Sequence, residues 1–193
     1  MATLIMSFSA MMAGDTKALA AGLRRRDSEL LDLLIEQYQY RLFRYVLYLT
    51  GTRETAEDLF QETWIRVLDR GHQYDGKAKF ETWLFAIARH LVIDLQRRKK
   101  PESLDSLAAP EMIAPQPSPL EQFSLRERGA DLQESLGRLP AVYREVLLLR
   151  FQEDLSLEEI AAVLDAPVST VKSRLYRGLE VLRQEMGEVG RAG

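Results

Sequence analysis

The sequence predicts an all-α protein: two small helical domains joined by a proline-rich acidic linker, the second carrying a helix-turn-helix. Three observations lead there. Apolar side chains recur every three or four residues through the long segments, which is the helical period. Five of the seven prolines fall between Pro101 and Leu125, a stretch with no lysine or arginine, so the chain divides there. From Ser156 to Arg183 two amphipathic stretches meet at a break of only about three residues.

Composition narrows the chemistry. At 193 residues, 46% hydrophobic and 28% charged, the chain is ordinary soluble globular material for one or two compact domains. With no cysteine there is no disulfide framework, thiolate zinc site or thiol switch. His72 and His90 are the only histidines, so a histidine metal site is not expected, and no cofactor is. The start, MATLIMSFSAMMAG, is apolar but lacks a basic leader and is too short to span a bilayer. Residues 1–18 therefore read as an N-terminal tail, with no membrane insertion and a cytoplasmic location.

The first helix is marked by Leu30, Leu34, Tyr38, Leu42, Tyr45 and Leu49, with Gly51 as its stop. A second, from about Glu54 to Leu68, packs through Ala56, Phe60, Thr63 and Val67. Asp58, Gln61, Glu62 and Ile65 share another stripe of it, polar, acidic and apolar together, which suits docking on a basic protein surface. Taken alone, a solvated face explains that stripe more simply.

After the polar loop Arg70 to Lys79, a third helix turns Phe80, Leu84, Ile87, Leu91 and Leu95 inward and leaves Trp83, His90, Asp94 and Arg97 nearer the surface. It ends in RRKK, and from Arg89 to Lys100 five Lys or Arg oppose only Asp94. Beside Trp83, Tyr74 and Phe85, that basic end can hold single-stranded nucleic acid by charge and stacking. A basic cap on a helix C-terminus over core aromatics accounts for the same residues equally well.

The linker from Pro101 to Leu125 carries Glu102, Asp105, Glu111 and Glu121 and no cation. Beyond it, Ser156 and Glu159 have the S-x-x-E spacing that opens a helix, and Ile160, Ala161 and Leu164 share its apolar stripe. Pro167 stands where a new helix can begin. In that second helix Val171, Leu175 and Leu182 fall on one face, while Thr170, Ser173, Arg174 and Arg177 fall on another. Between residues 166 and 183, Lys172, Arg174, Arg177 and Arg183 oppose only Glu180, in a chain of net charge −3. This concentration suits phosphate and base-edge contacts in the major groove; an amphipathic hairpin with a solvated basic face is the plainer alternative.

These blocks, in this order, resemble the sigma-70 family of bacterial RNA polymerase sigma factors, in its short extracytoplasmic-function (ECF) group, from about Leu19 to Leu182. AEDLFQETWIRV, Ala56 to Val67, is similar to the family segment that docks on core RNA polymerase, which implies Asp58, Gln61, Glu62 and Ile65 as docking residues. YDGKAKFETWLFAIARHLVIDLQRRKK, Tyr74 to Lys100, is similar to the segment that captures and melts the minus-10 element. It implies DNA contacts from Tyr74, Lys77, Lys79, Trp83, Arg89, His90, Arg97 and Arg98, with the loop Gln73 to Lys79 accepting a flipped nontemplate base. LPAVYREVLLLRF and the helix-turn-helix after it resemble the domain that reads the minus-35 element, implying Thr170, Lys172, Ser173, Arg174 and Arg177.

The implied organisation is a tail at 1–18, region 2 at 19–100, a linker at 101–125, region 4 at 126–186 and a short tail at 187–193. Two departures stand out: His90 where asparagine is common, and Asp165 where glycine commonly fills the turn. The resemblance implies core RNA polymerase and promoter DNA as partners, an anti-sigma factor as a frequent third, and no catalysis. A helix-turn-helix regulator acting without core polymerase is the alternative; it leaves Asp58, Gln61 and Glu62 without a task.

Overall fold

The computed structural model describes residues 15–99 and 135–189. The linker expectation, its four acids, Lys100 and residues 1–14 and 190–193 of the expected tails fall outside the described residues.

α1 (Thr16–Arg24) begins inside the stretch expected to be a tail. Asp15 explains why: its carboxylate accepts from the Lys17 and Ala18 backbone N–H groups at 3.1 and 3.0 Å, capping the first turn. Leu19, Ala20 and Leu23 are buried from this helix, so packing repays the ordering. Asp27 caps α2 (Ser28–Thr50) in the same manner, and Gly51 ends it in the left-handed conformation at φ 73°, where a side chain would be strained. α3 (Arg53–Arg70) leads through a 3₁₀ turn, Gly71–Gln73, and an exposed loop into α4 (Phe80–Lys99).

The helices cross so that α2 packs on both α3 and α4. The 3.6-residue stripe of α2 supplies Leu30, Leu34, Tyr38, Leu42, Tyr45 and Leu49, all buried as their spacing predicts. Leu34 and Leu42 are wholly inaccessible, and truncating either to alanine would cost about 2–5 kcal/mol. Rings interlock across the same seam: Tyr38 meets Phe80 with centroids 5.4 Å apart, and Tyr45 meets Phe85 edge-on at 5.0 Å.

The second domain is described from residue 135, so its expected start near Arg126 falls outside. α5 (Ala141–Leu147) runs on into a π-helical turn, Leu148–Gln152. Then come α6 (Leu157–Leu164) and α7 (Val168–Val189), the latter passing the expected end at Met186. Both halves of the predicted capping box form at α6: Glu159 N–H donates to the Ser156 hydroxyl at 3.1 Å, and Ser156 N–H donates to the Glu159 carboxylate at 2.7 Å. Asp165 takes the left-handed turn position at φ 49°. Asp tolerates that conformation, so α6 ends at Leu164 and α7 starts just after Pro167.

The domains are not held apart. α6 lies along α4, and one apolar core runs through both, from Leu84, Ala88 and Val92 to Leu149, Ile160 and Leu164. A Pro-rich tether reads as a spacer, whereas the apolar stripe of α6 has a second face to bury.

Candidate nucleic-acid interface

The outer face of α7 is built as its spacing predicts. Val171 is buried and Leu175 and Leu182 are half-buried against the domain, which turns Thr170, Ser173, Arg174 and Arg177 outward together. These four line one open depression of about 420 Å³ with Ser169 and, from α5, Val142 and Tyr143. Lys172 is exposed on the flank. Lys172, Arg174 and Arg177 form no ion pair among the described residues, so their charge faces outward unspent. Sequence spacing found the four α7 residues; it missed Val142 and Tyr143, which come from a different helix.

The first domain brings together most of the remaining basic candidates. His90, Arg97 and Arg98 are exposed along α4, and Lys77 and Lys79 stand out from the loop before it. Trp83 is half-buried, its ring tilted against Tyr74 at 5.2 Å and Phe80 at 5.9 Å. Tyr74 and Phe85 require a correction. Their rings are 2% and 0% exposed, so neither offers a face for a base to stack on. Tyr74 instead closes the loop from beneath, its hydroxyl donating to the Ala78 carbonyl at 2.7 Å. Burial pushes that hydroxyl's pKa up to about 12.

The loop is pinned from three sides. The Asp75 carboxylate accepts from the Lys77 backbone N–H at 3.0 Å and pairs with its ammonium at 2.9 Å. Those bonds hold Asp75 below its ordinary carboxylate range, and the Asp75 side chain in turn lifts the Lys77 ammonium. The third tie comes from α1, through the Thr16 hydroxyl to the Gly76 carbonyl at 2.5 Å.

Across the domain boundary the second domain presents carboxylates to the first. Glu145 on α5 accepts from Arg89 Nε at 3.0 Å and from the Tyr45 hydroxyl at 2.9 Å. Glu153 accepts from Arg41 Nε at 2.7 Å and lies 3.3 Å from Arg44 Nη2, while its carbonyl takes a further bond from Arg41 at 3.0 Å. Glu159 of the capping box reaches Lys79 at 3.0 Å. Burial alone would raise the Glu159 carboxyl, but the Ser156 backbone N–H and the Lys79 ammonium outweigh it and hold it low. Burial, and then the Glu145 charge, push the Tyr45 hydroxyl well above its usual value. Arg89 and Lys79, two expected DNA contacts, are thus engaged by acids of the same chain. Glu145 and Glu153 did not stand out in the sequence, because each is buried and paired by residues far away in the chain, whereas Glu159 stood out only as half of a helix cap.

On α3, Asp58, Gln61 and Ile65 are exposed, Ile65 by half, and Glu62 is partly so, held by Arg66 one turn on at 2.8 Å. The four share a continuous outer strip, with the buried Ala56, Leu59 and Thr63 behind it. No helix among the described residues is long and apolar enough to cross a membrane.

A helix-turn-helix with an open basic face, joined to a second helical domain with a basic helix and a pinned loop, defines a two-domain helical protein made to grip nucleic acid at two places. The sequence families agree segment by segment: Sigma-70 region 2 matches residues 34–102, and Sigma-70, region 4 matches residues 130–182. The chain is 31% identical over 175 residues to the ECF RNA polymerase sigma factor SigW of Bacillus subtilis, spanning 86% of this chain and 94% of that one. With SigX of the same organism it shares 32% over 163 residues, 82% and 84% of the two chains. Its fold is similar to the sigma factor RpoE of Bartonella quintana, solved in complex with the anti-sigma factor NepR: TM-score 0.65 at 22% identity, covering 81% of this chain and 96% of that one. This protein belongs to the sigma-70 family of RNA polymerase sigma factors, in the ECF group.

Proposed function

We propose that the chain docks on core RNA polymerase through the α3 strip, grips the minus-10 element with the loop and the outer face of α4, and reads the minus-35 element with α7. The docking set is Asp58, Gln61, Glu62 and Ile65. The minus-10 set is Lys77, Lys79, Trp83, Arg89, His90, Arg97 and Arg98, with Tyr74 shaping the loop from below. The minus-35 set is Thr170, Lys172, Ser173, Arg174 and Arg177. It works without catalysis of its own and in the cytoplasm. Extruding a base costs a few kcal/mol, within reach of binding energy, and no nucleotide-hydrolysing motif is needed.

The observation that carries this reading is the coexistence, on one short chain, of an outward basic recognition helix and an outward acidic-apolar strip on a different domain. A regulator that only binds operators has use for the first and none for the second. Reversing the strip with Asp58→Arg and Glu62→Arg sets like charges against a basic polymerase surface and should weaken docking by about 2–5 kcal/mol while the fold persists. Competition for core polymerase and run-off transcription test it; a double variant that competes as well as the parent refutes the docking assignment. Because RpoE of Bartonella quintana is solved with an anti-sigma factor, an inhibitory protein partner is part of this reading too.

A further inference from the structure

α1 was not expected from the sequence, yet its two ends touch the segment leading to α4 at two points, Gly71 and Gly76. Near its last turn, Leu23 stands 3.2 Å from where a side chain on Gly71 would begin. At its first turn, the Thr16 hydroxyl donates to the Gly76 carbonyl, a link across 60 residues. Gly76 itself is at φ 73° and a Cβ there would lie 2.7 Å from the Thr16 carbonyl oxygen, so backbone meets backbone with no room for a side chain. Meanwhile Lys77, the next residue, has a side chain 88% exposed. The loop's backbone is fixed from behind while the Lys77 side chain on its outer surface stays exposed, the arrangement a recognition loop needs for a defined shape before its ligand arrives.

We infer that Thr16 is a positioning residue: by holding the Gly76 carbonyl it sets the shape of the 74–79 loop, and through that shape the loop's preference among unpaired bases of the nontemplate strand. This rests on the reading of the loop as a minus-10 contact. α1 is then part of the promoter-reading machinery, although none of the DNA-contact residues proposed above lies on it.

The test uses holoenzyme assembled from the full chain and core polymerase, on promoters that carry each of the four bases in turn at the minus-10 positions. Thr16→Val keeps the branched side chain and removes the donor; Thr16→Ser keeps the donor. The valine variant should flatten the base preference at one or more minus-10 positions by about tenfold, the size of one lost binding distinction. Minus-35 discrimination and core affinity should stay at parent levels, and serine should restore the preference. Hydrogen exchange at the 74–79 amides reads the same link without DNA: faster in the valine variant, at the parent rate in the serine variant. Unchanged exchange and unchanged preference in Thr16→Val overturn the inference. Asp75→Ala and Lys77→Ala separate the two levels. If they too leave base preference intact, the loop reading has failed; if they flatten it and Thr16→Val does not, only the role of Thr16 has.

Discussion

The two basic faces of this molecule differ in what their cations already hold. On α7, Lys172, Arg174 and Arg177 meet no carboxylate among the described residues; Lys172 and Arg177 are exposed and Arg174 partly so. On the first domain, Arg89 is bound to Glu145 and Lys79 to Glu159, while Arg41 and Arg44 beside them grasp Glu153. One face is open as folded, and the other becomes fully available only when the domains part. A phosphate and a buried carboxylate compete for a guanidinium on the same electrostatic terms, so under the proposed minus-10 assignment of Arg89 and Lys79 the second domain competes with a nucleic-acid strand for them.

The largest effect should come from the buried acids. Reversing them with Glu145→Arg and Glu153→Arg sets like charges together; losing one partner of a buried pair costs about 3–5 kcal/mol, and the partial exposure of the arginines brings this to about 1–3 kcal/mol for each. Energy transfer between labels on α2 and α7 should collapse, and affinity for a single-stranded minus-10 oligonucleotide without polymerase should rise at least about tenfold. Energy transfer at the parent value would break the contrast between the faces.

Arg174→Ala sharpens the open face. A guanidinium that pairs with a base edge takes about 1–3 kcal/mol of discrimination with it, read across a set of minus-35 variants. Equal losses on every sequence would remove Arg174 from the reading set. Lys172→Ala should act differently, weakening all promoters alike and lowering the salt slope of binding by about one.

The smallest effect concerns Lys79 and Glu159. The folded carboxyl is depressed, so its contribution is present above the ordinary carboxylate range and lost as pH falls through the depressed value; the raised Lys79 ammonium keeps its share until pH climbs through its elevated one. The pair is therefore intact around neutrality and loosens in acid. Lys79 is more than half exposed, which limits the pair to under about 1 kcal/mol. Glu159→Gln preserves the capping box, since Gln serves at that position, and should flatten this part of the acid response. The difference in energy transfer between parent and variant from about pH 7 down to 3 measures it; identical curves would assign the acid response elsewhere.

What could be read from sequence was whatever depends on near neighbours. The stripe of α2, its glycine stop, the Ser156–Glu159 cap and the outward set on α7 all follow from spacing within one helix, and all formed. α1 is short and buries Leu19, Ala20 and Leu23 where it lies against the 3₁₀ turn Gly71–Gln73 and α2, so its period alone did not mark it. Tyr74 and Phe85 show the same limit: an aromatic beside a basic cluster serves as stacking platform or core, and only packing decides for core, of Phe85 against Tyr45 and of Tyr74 against Phe80 and Trp83. Glu145, inside LPAVYREV, looks like a solvated helix residue until Arg89 and Tyr45 arrive from the other domain. Arg41, Arg44 and Tyr45 do lie on one face of α2, a signal that spacing offered.

Because Glu145, Glu153 and Glu159 are joined to the first domain by the chain itself, they face its cations at an effective concentration on the order of millimolar, as short tethers give. A free acidic competitor must exceed that level or bind far more tightly. Lengthening the tether should dilute the rival only slowly, as about the −3/2 power of length, so insertions between residues 99 and 135 should weaken the contacts between the domains little.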